Sequence, residues 1–106
     1  MVAMIRKESA IWEWIGRLSS VFGGEAFVLV DHWEGDLCAI GVGNPVDARR
    51  RLVYLCTFGE KAGQCGYDCE ELNAHGLPHI LEEGSEADLP KITEVLMRHL
   101  GLVPKK

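Results

Sequence analysis

The chain contains no apolar run approaching the ~20 residues that a helix needs to cross a bilayer, so no membrane-spanning helix is expected. Nor does it carry the uninterrupted apolar stretch of a secretory signal: glutamates, tryptophans and scattered apolar residues follow Arg6 and Lys7. A cytoplasmic location is the expectation. Walker loops, dinucleotide fingerprints and Gly-x-Ser-x-Gly elbows are missing, which removes the usual signatures of nucleotide chemistry and serine hydrolysis. Basic residues are scarce. Eleven stand against sixteen acidic ones, for a net charge of −5, and a phosphate backbone is bound chiefly by lysine and arginine displacing counterions. Nucleic acid is therefore not an expected partner. The four cysteines, in a chain without an export signal, read as reduced thiols and not as two disulfides. Internal repeats and low-complexity tracts are absent.

What is present describes one domain spanning residues 1–106, a length that buries a core without disulfides or metal. The centre of the chain reads as three strands over 26–33, 37–42 and 51–58, rich in valine, leucine, isoleucine and aromatics. Glu34-Gly35 separates the first two so closely that a two-residue hairpin is expected. A weaker, polar fourth strand over 64–72 suits a sheet edge. Residues 73–85 read as mostly irregular because Gly76 and Pro78 interrupt them, with only His79-Ile80-Leu81 extended.

A helix precedes the strands. Ile11, Trp14, Ile15, Leu18, Val21 and Phe22 recur at steps of three and four, and Met4 lies on the same stripe, so the helix is expected to begin near it. Trp12 sits at the margin of the stripe and is expected to flank the core. Gly23-Gly24 ends the helix. A final helix follows Asp88 as its cap, with Leu89 and Pro90 in the first two helical positions and Gly101 beyond the end. Its stripe is Ile92, Val95, Leu96, His99 and Leu100, His99 at the core edge, and the tail from Pro104 to Lys106 is expected to be loose. The predicted fold is α+β: an antiparallel sheet of three to four strands flanked by an N-terminal and a C-terminal helix, order α-β-β-β-(β)-α. Both helices should pack on one face, with the 73–85 segment over part of the other.

Several groupings invite a chemical reading. Cys65, Cys69, His75 and His79 offer metal-type side chains within fifteen residues. However, residues four apart along a strand lie ~13 Å apart, too far for two thiolates on one zinc, and Gly76 with Pro78 prevents the helix that would join the histidines. No metal and no cofactor is assigned. Asp31, His32, Glu34 and Asp36 gather acid and imidazole around the first hairpin, but alternation sends Asp31 and His32 to opposite faces. Cys38 and Cys56 lie among apolar residues, where desolvation disfavours the thiolate, so no catalytic residue is assigned. Arg49, Arg50 and Arg51 read as charges guarding the start of the third strand.

The most informative feature is a one-signed segment. Asp68, Glu70, Glu71, Glu82, Glu83, Glu86 and Asp88 lie in 62–90 with no lysine or arginine among them. Such a patch speeds and orients the approach of a partner protein with a basic surface. The expectation is a small non-catalytic interaction module with these seven residues as its partner-binding set. One form of it is an inhibitor of the immunity-protein type, which masks a basic enzyme. The alternatives are a small-ligand or metal-binding domain and a small enzyme. Three tryptophans and an apolar sheet also suit a homo-oligomer.

Overall fold

A computed structural model describes residues 5–31, 33–47 and 50–105. Two helices and five strands follow one another as α1 (Ser9–Phe22), β1 (Val28–Val30), β2 (Ala39–Gly43), β3 (Arg51–Cys56), β4 (Cys65–Leu72), β5 (Pro78–Ala87) and α2 (Leu89–Leu100). The strands form one sheet in the order β1-β2-β3-β4-β5, every neighbour antiparallel. This is the α+β architecture that the sequence predicts, with one strand more than the three to four expected. Short links between consecutive strands leave an antiparallel meander as the available topology.

Alternation along the strands divides the sheet into two faces. Ile40, Val42, Val53, Leu55, Cys65, Tyr67 and Cys69 point to one, where they join Ile11, Trp14, Leu18 and Phe22 of α1 and Ile92, Val95, Leu96 and Leu100 of α2 in a single buried cluster. Both helices thus cover the same face. The other face carries Ala39, Gly41, Leu52, Tyr54, Cys56, Gly66, Asp68 and Glu70, as the register requires.

The helix ends have local causes. Gly23 takes φ 97 and its N–H donates to the Ser19 carbonyl, closing α1. Asp88 caps α2 by accepting from the Lys91 N–H at 3.1 Å, and Gly101 ends it in the left-handed conformation. His99 is buried at the core edge, and its Nε2–H donates to the Glu70 carbonyl at 2.9 Å.

Five expectations are corrected. First, α1 starts at Ser9, since Lys7 and the Glu8 N–H bond instead to the carbonyls of Trp33, Asp36 and Leu37; Met4 lies outside the described residues. Second, Trp12 is 40% exposed and does not flank the core. Third, no two-residue hairpin joins β1 to β2: β1 ends at Val30 and pairs with Gly41, leaving 31–38 as a loop. The loop is wrapped around the Lys7 ammonium, which donates to the carbonyls of Trp33 at 3.1 Å and Asp36 at 2.6 Å and pairs with Asp31 Oδ1 at 2.8 Å. Carbonyls turned toward a cation do not build a ladder. Fourth, β4 is no edge: it pairs on both sides, because the stretch read as irregular supplies the ten-residue strand β5. Instead of lying over the second face, that stretch extends the sheet. Fifth, the tail is tied down as far as Lys105, with Leu102 buried and the Lys105 N–H donating to Val21 O at 2.9 Å; Lys106 lies outside the described residues.

β5 tolerates its poor strand composition for positional reasons. Pro78 is its first residue, where a missing donor costs nothing. Gly84 stands opposite Tyr67, and a Cβ there would come within 2.6 Å of the ring, so only glycine leaves room for it. Two register shifts against β4 absorb the remaining mismatch, and Glu86 takes the left-handed φ of 55 at one of them.

Candidate functional site

The helices leave the second face of the sheet open, and it holds a groove of about 580 Å³. Its floor is a row of small residues across the strands: Ala39 lies opposite Cys56 and Cys56 opposite Gly66, with Ser85 also lining the groove. Beside this runs a second row, in which Gly41 lies opposite Tyr54, Tyr54 opposite Asp68, and Asp68 opposite Glu83. The Tyr54 ring leans over Gly41, where a Cβ would stand 3.2 Å from Cζ. Trp33 and Asp36 rise from the 31–38 loop as the wall at the β2 side. Trp33 is 66% exposed. The loop owes its position to Lys7, so the wall is anchored from the N-terminal segment.

Asp68 is the distinctive group of the groove. Its Oδ1 is enclosed and has no hydrogen-bond partner among the described residues. Burial, then a hydrogen bond with Glu70 and the charges of Glu70 and Glu83, pushes its carboxyl up to about 7. Crowded carboxyls share protons because their like charges cannot all be accommodated at this spacing. The described residues lining the groove include four carboxyls, Asp36, Asp68, Glu70 and Glu83, and no lysine or arginine.

Of the seven acidic residues singled out by charge, the fold brings three together here: Asp68, Glu70 and Glu83. Two lie with the helical side and are already paired. Glu71 accepts from Arg51 Nε at 3.2 Å, and Glu82 accepts from both Arg98 Nη1 at 2.8 Å and Nη2 at 3.1 Å. Arg98 also holds Glu94, and Tyr67 Oη donates to Glu82 Oε2 at 2.7 Å. These bonds, Arg98 first, hold Glu82 below the usual carboxylate range. Burial and the Glu82 bond push Tyr67 up to about 12. Asp88 is used as the α2 cap, and Glu86 donates its N–H to Glu60 Oε1 at the strand kink.

The remaining groupings do not assemble. Cys65 and Cys69 both point into the core from β4, with burial pushing their thiols to about 12 and about 11. His75 lies in the β4–β5 turn and His79 on exposed β5. No group of three or more His, Cys, Asp or Glu side chains among the described residues could hold a metal ion. Asp31 is bound to Lys7, Asp36 faces the groove, and His32 lies outside the described residues, as does Arg49. The Cys38 thiol is raised chiefly by a hydrogen bond with Glu8, which disfavours its thiolate. All four cysteines are unbonded. Among the described residues, no helix is long and apolar enough to cross a membrane.

Sequence reasoning missed Tyr54, Trp33 and the small-residue floor as site members. The period-two pattern of 52–58 does place Tyr54 and Cys56 on a common face, but nothing local says that this face is left uncovered. Neither family models nor characterised proteins nor solved structures match this chain.

Proposed function

We propose that the protein is a small non-catalytic interaction module that takes a partner protein with a basic surface on the open face of its sheet. The observation that supports this reading is the division of the acidic segment. Carboxylates on the helical side are neutralised by Arg51 and Arg98, whereas Asp68, Glu70 and Glu83 share a groove with no lysine or arginine among the described residues that line it. Unpaired carboxylates beside exposed aromatic surface match the composition of interfaces, in which aromatic anchors supply contact area and charge supplies orientation. An inhibitor that covers the basic site of an enzyme is one form of such a module.

The test is a comparison of faces. Proteins captured from native lysate by the wild type are compared with those captured by Glu70→Lys/Glu83→Lys and by Glu71→Lys/Glu82→Lys, with circular dichroism confirming that each variant is folded. Loss of a basic partner on open-face reversal alone is the expected result. Equal retention by both variants sinks the reading. A second reading, a small-ligand domain, is favoured by the groove volume, which falls in the range of small-molecule sites.

A further inference from the structure

The groove's chemistry narrows the partner, on the reading just proposed. Asp68 Oδ1 is enclosed and has no hydrogen-bond partner among the described residues, and an unmet buried acceptor is a standing cost that is removed when a shift of the side chain brings it to a donor. The groups facing Asp68 are all acidic or neutral: Glu70 on its own strand, Glu83 on β5, Tyr54 and Cys56 on β3, and Asp36 from the 31–38 loop. Among the described residues that line the groove, none is a lysine or arginine. The floor of Ala39, Cys56, Gly66 and Ser85 is flat because its side chains are small, Tyr54 is buried beside it against Gly41, and the exposed Trp33 ring stands at its wall. A slot between carboxylates and an exposed aromatic ring suits a planar, weakly hydrated cation with several donors. Guanidinium has that shape: it forks onto carboxylates and stacks on rings, whereas ammonium is compact and strongly hydrated.

We infer that the open-face groove seats an arginine side chain presented by the basic partner, with Asp68 as its principal counter-ion. Seating the cation requires Asp68 to be ionised, so binding near or below neutrality expels the proton that Asp68 otherwise carries. Affinity should then fall roughly tenfold per pH unit below the Asp68 titration, which lies at about 7.

The probes are a nona-arginine peptide, a nona-lysine peptide and L-arginine amide, titrated calorimetrically into the full chain at pH 6 in two buffers of different ionisation enthalpy. Support consists of nona-arginine binding at least tenfold tighter than nona-lysine, release of a fraction of a proton approaching one, and loss of both effects in Asp68→Asn. Glu71→Gln, on the other face, should change neither. Equal affinity for the two peptides, no proton release, or an unaffected Asp68→Asn overturns the inference. If L-arginine amide binds as tightly as the peptide, the groove is a small-molecule site and the docking assignment fails. The two levels separate cleanly: partner loss in Glu70→Lys/Glu83→Lys with an unchanged Asp68→Asn leaves the docking face standing and removes only the arginine.

Discussion

The two faces of the sheet are written in the same residues of the same strands, one position apart, yet they differ in kind. On β3, Val53 and Leu55 enter the helix-covered core with no exposed surface, while Tyr54 and Cys56 between and after them line the open groove. On β4, Tyr67 and Cys69 go inward as Asp68 and Glu70 go outward. Acidic groups on the helical side have partners, as Glu82 has in Arg98 and Tyr67, whereas Asp68 on the open side has an enclosed oxygen with none among the described residues. The covered face is organised for stability. The open one keeps a cost uncompensated.

That contrast is broken most severely by Leu55→Ala. It should cost about 3 kcal/mol in urea denaturation, because a fully buried side chain leaves a cavity under two helices. Cys56→Ala, one residue on, should cost less than about 1 kcal/mol.

Glycine substitutions sharpen the picture. A Cβ at Gly41 would lie 2.8 Å from Val30 O and 3.2 Å from Tyr54 Cζ, so Gly41→Ala should destabilise by about 1–3 kcal/mol. The nearest atoms to a Cβ at Gly66 are at 3.5 and 3.6 Å, and Gly66→Ala should be neutral or stabilising by about 0.5 kcal/mol.

The next effect depends on pH. Asp68 is raised from 3.8 to about 7 in the folded state, so the folded chain holds a proton that the unfolded chain loses. The associated stability is fully present below 3.8 and disappears as pH rises through about 7. Since the group is only partly buried, the loss is on the order of 1–2 kcal/mol after solvent screening. Asp68→Asn should therefore be more stable than the wild type at pH 8, with the gap closing toward pH 4, as measured by denaturation across that range. Glu83→Gln should lower the Asp68 titration seen by carboxyl NMR.

Smallest of all is Trp33→Ser, which should change stability by less than about 0.5 kcal/mol because the ring is mostly in solvent. The same change should weaken partner binding measurably, and an unaltered affinity would remove Trp33 from the rim.

Local signals carried much of the fold into view. The α2 helix is readable from Asp88, Pro90 and Gly101 alone, since caps and breakers act within one turn. Strands β2 and β3 are readable from apolar alternation, and the separation of Cys65 from Cys69 follows from strand geometry. The strand β5 escaped because Glu82, Glu83, Gly84 and Ser85 have little strand preference of their own; pairing with β4 imposes it. The 31–38 loop escaped because its organiser, Lys7, lies more than twenty residues earlier. Charge counting grouped Asp68, Glu70 and Glu83 with Glu71 and Glu82 and could not separate them, because the cations of the latter two come from β3 and α2.

The sequence by itself determined the periodicities: which residues of each strand share a face, where each helix stops, and the one-signed charge of 62–90. These depend on backbone geometry over a few residues, and no distant contact is needed to set them. Only the tertiary structure decided which face the helices cover, which carboxylates meet an arginine, and which oxygen is enclosed without a donor. Those outcomes rest on contacts between residues far apart in the chain, where burial and charge are set by whatever the closed fold brings alongside.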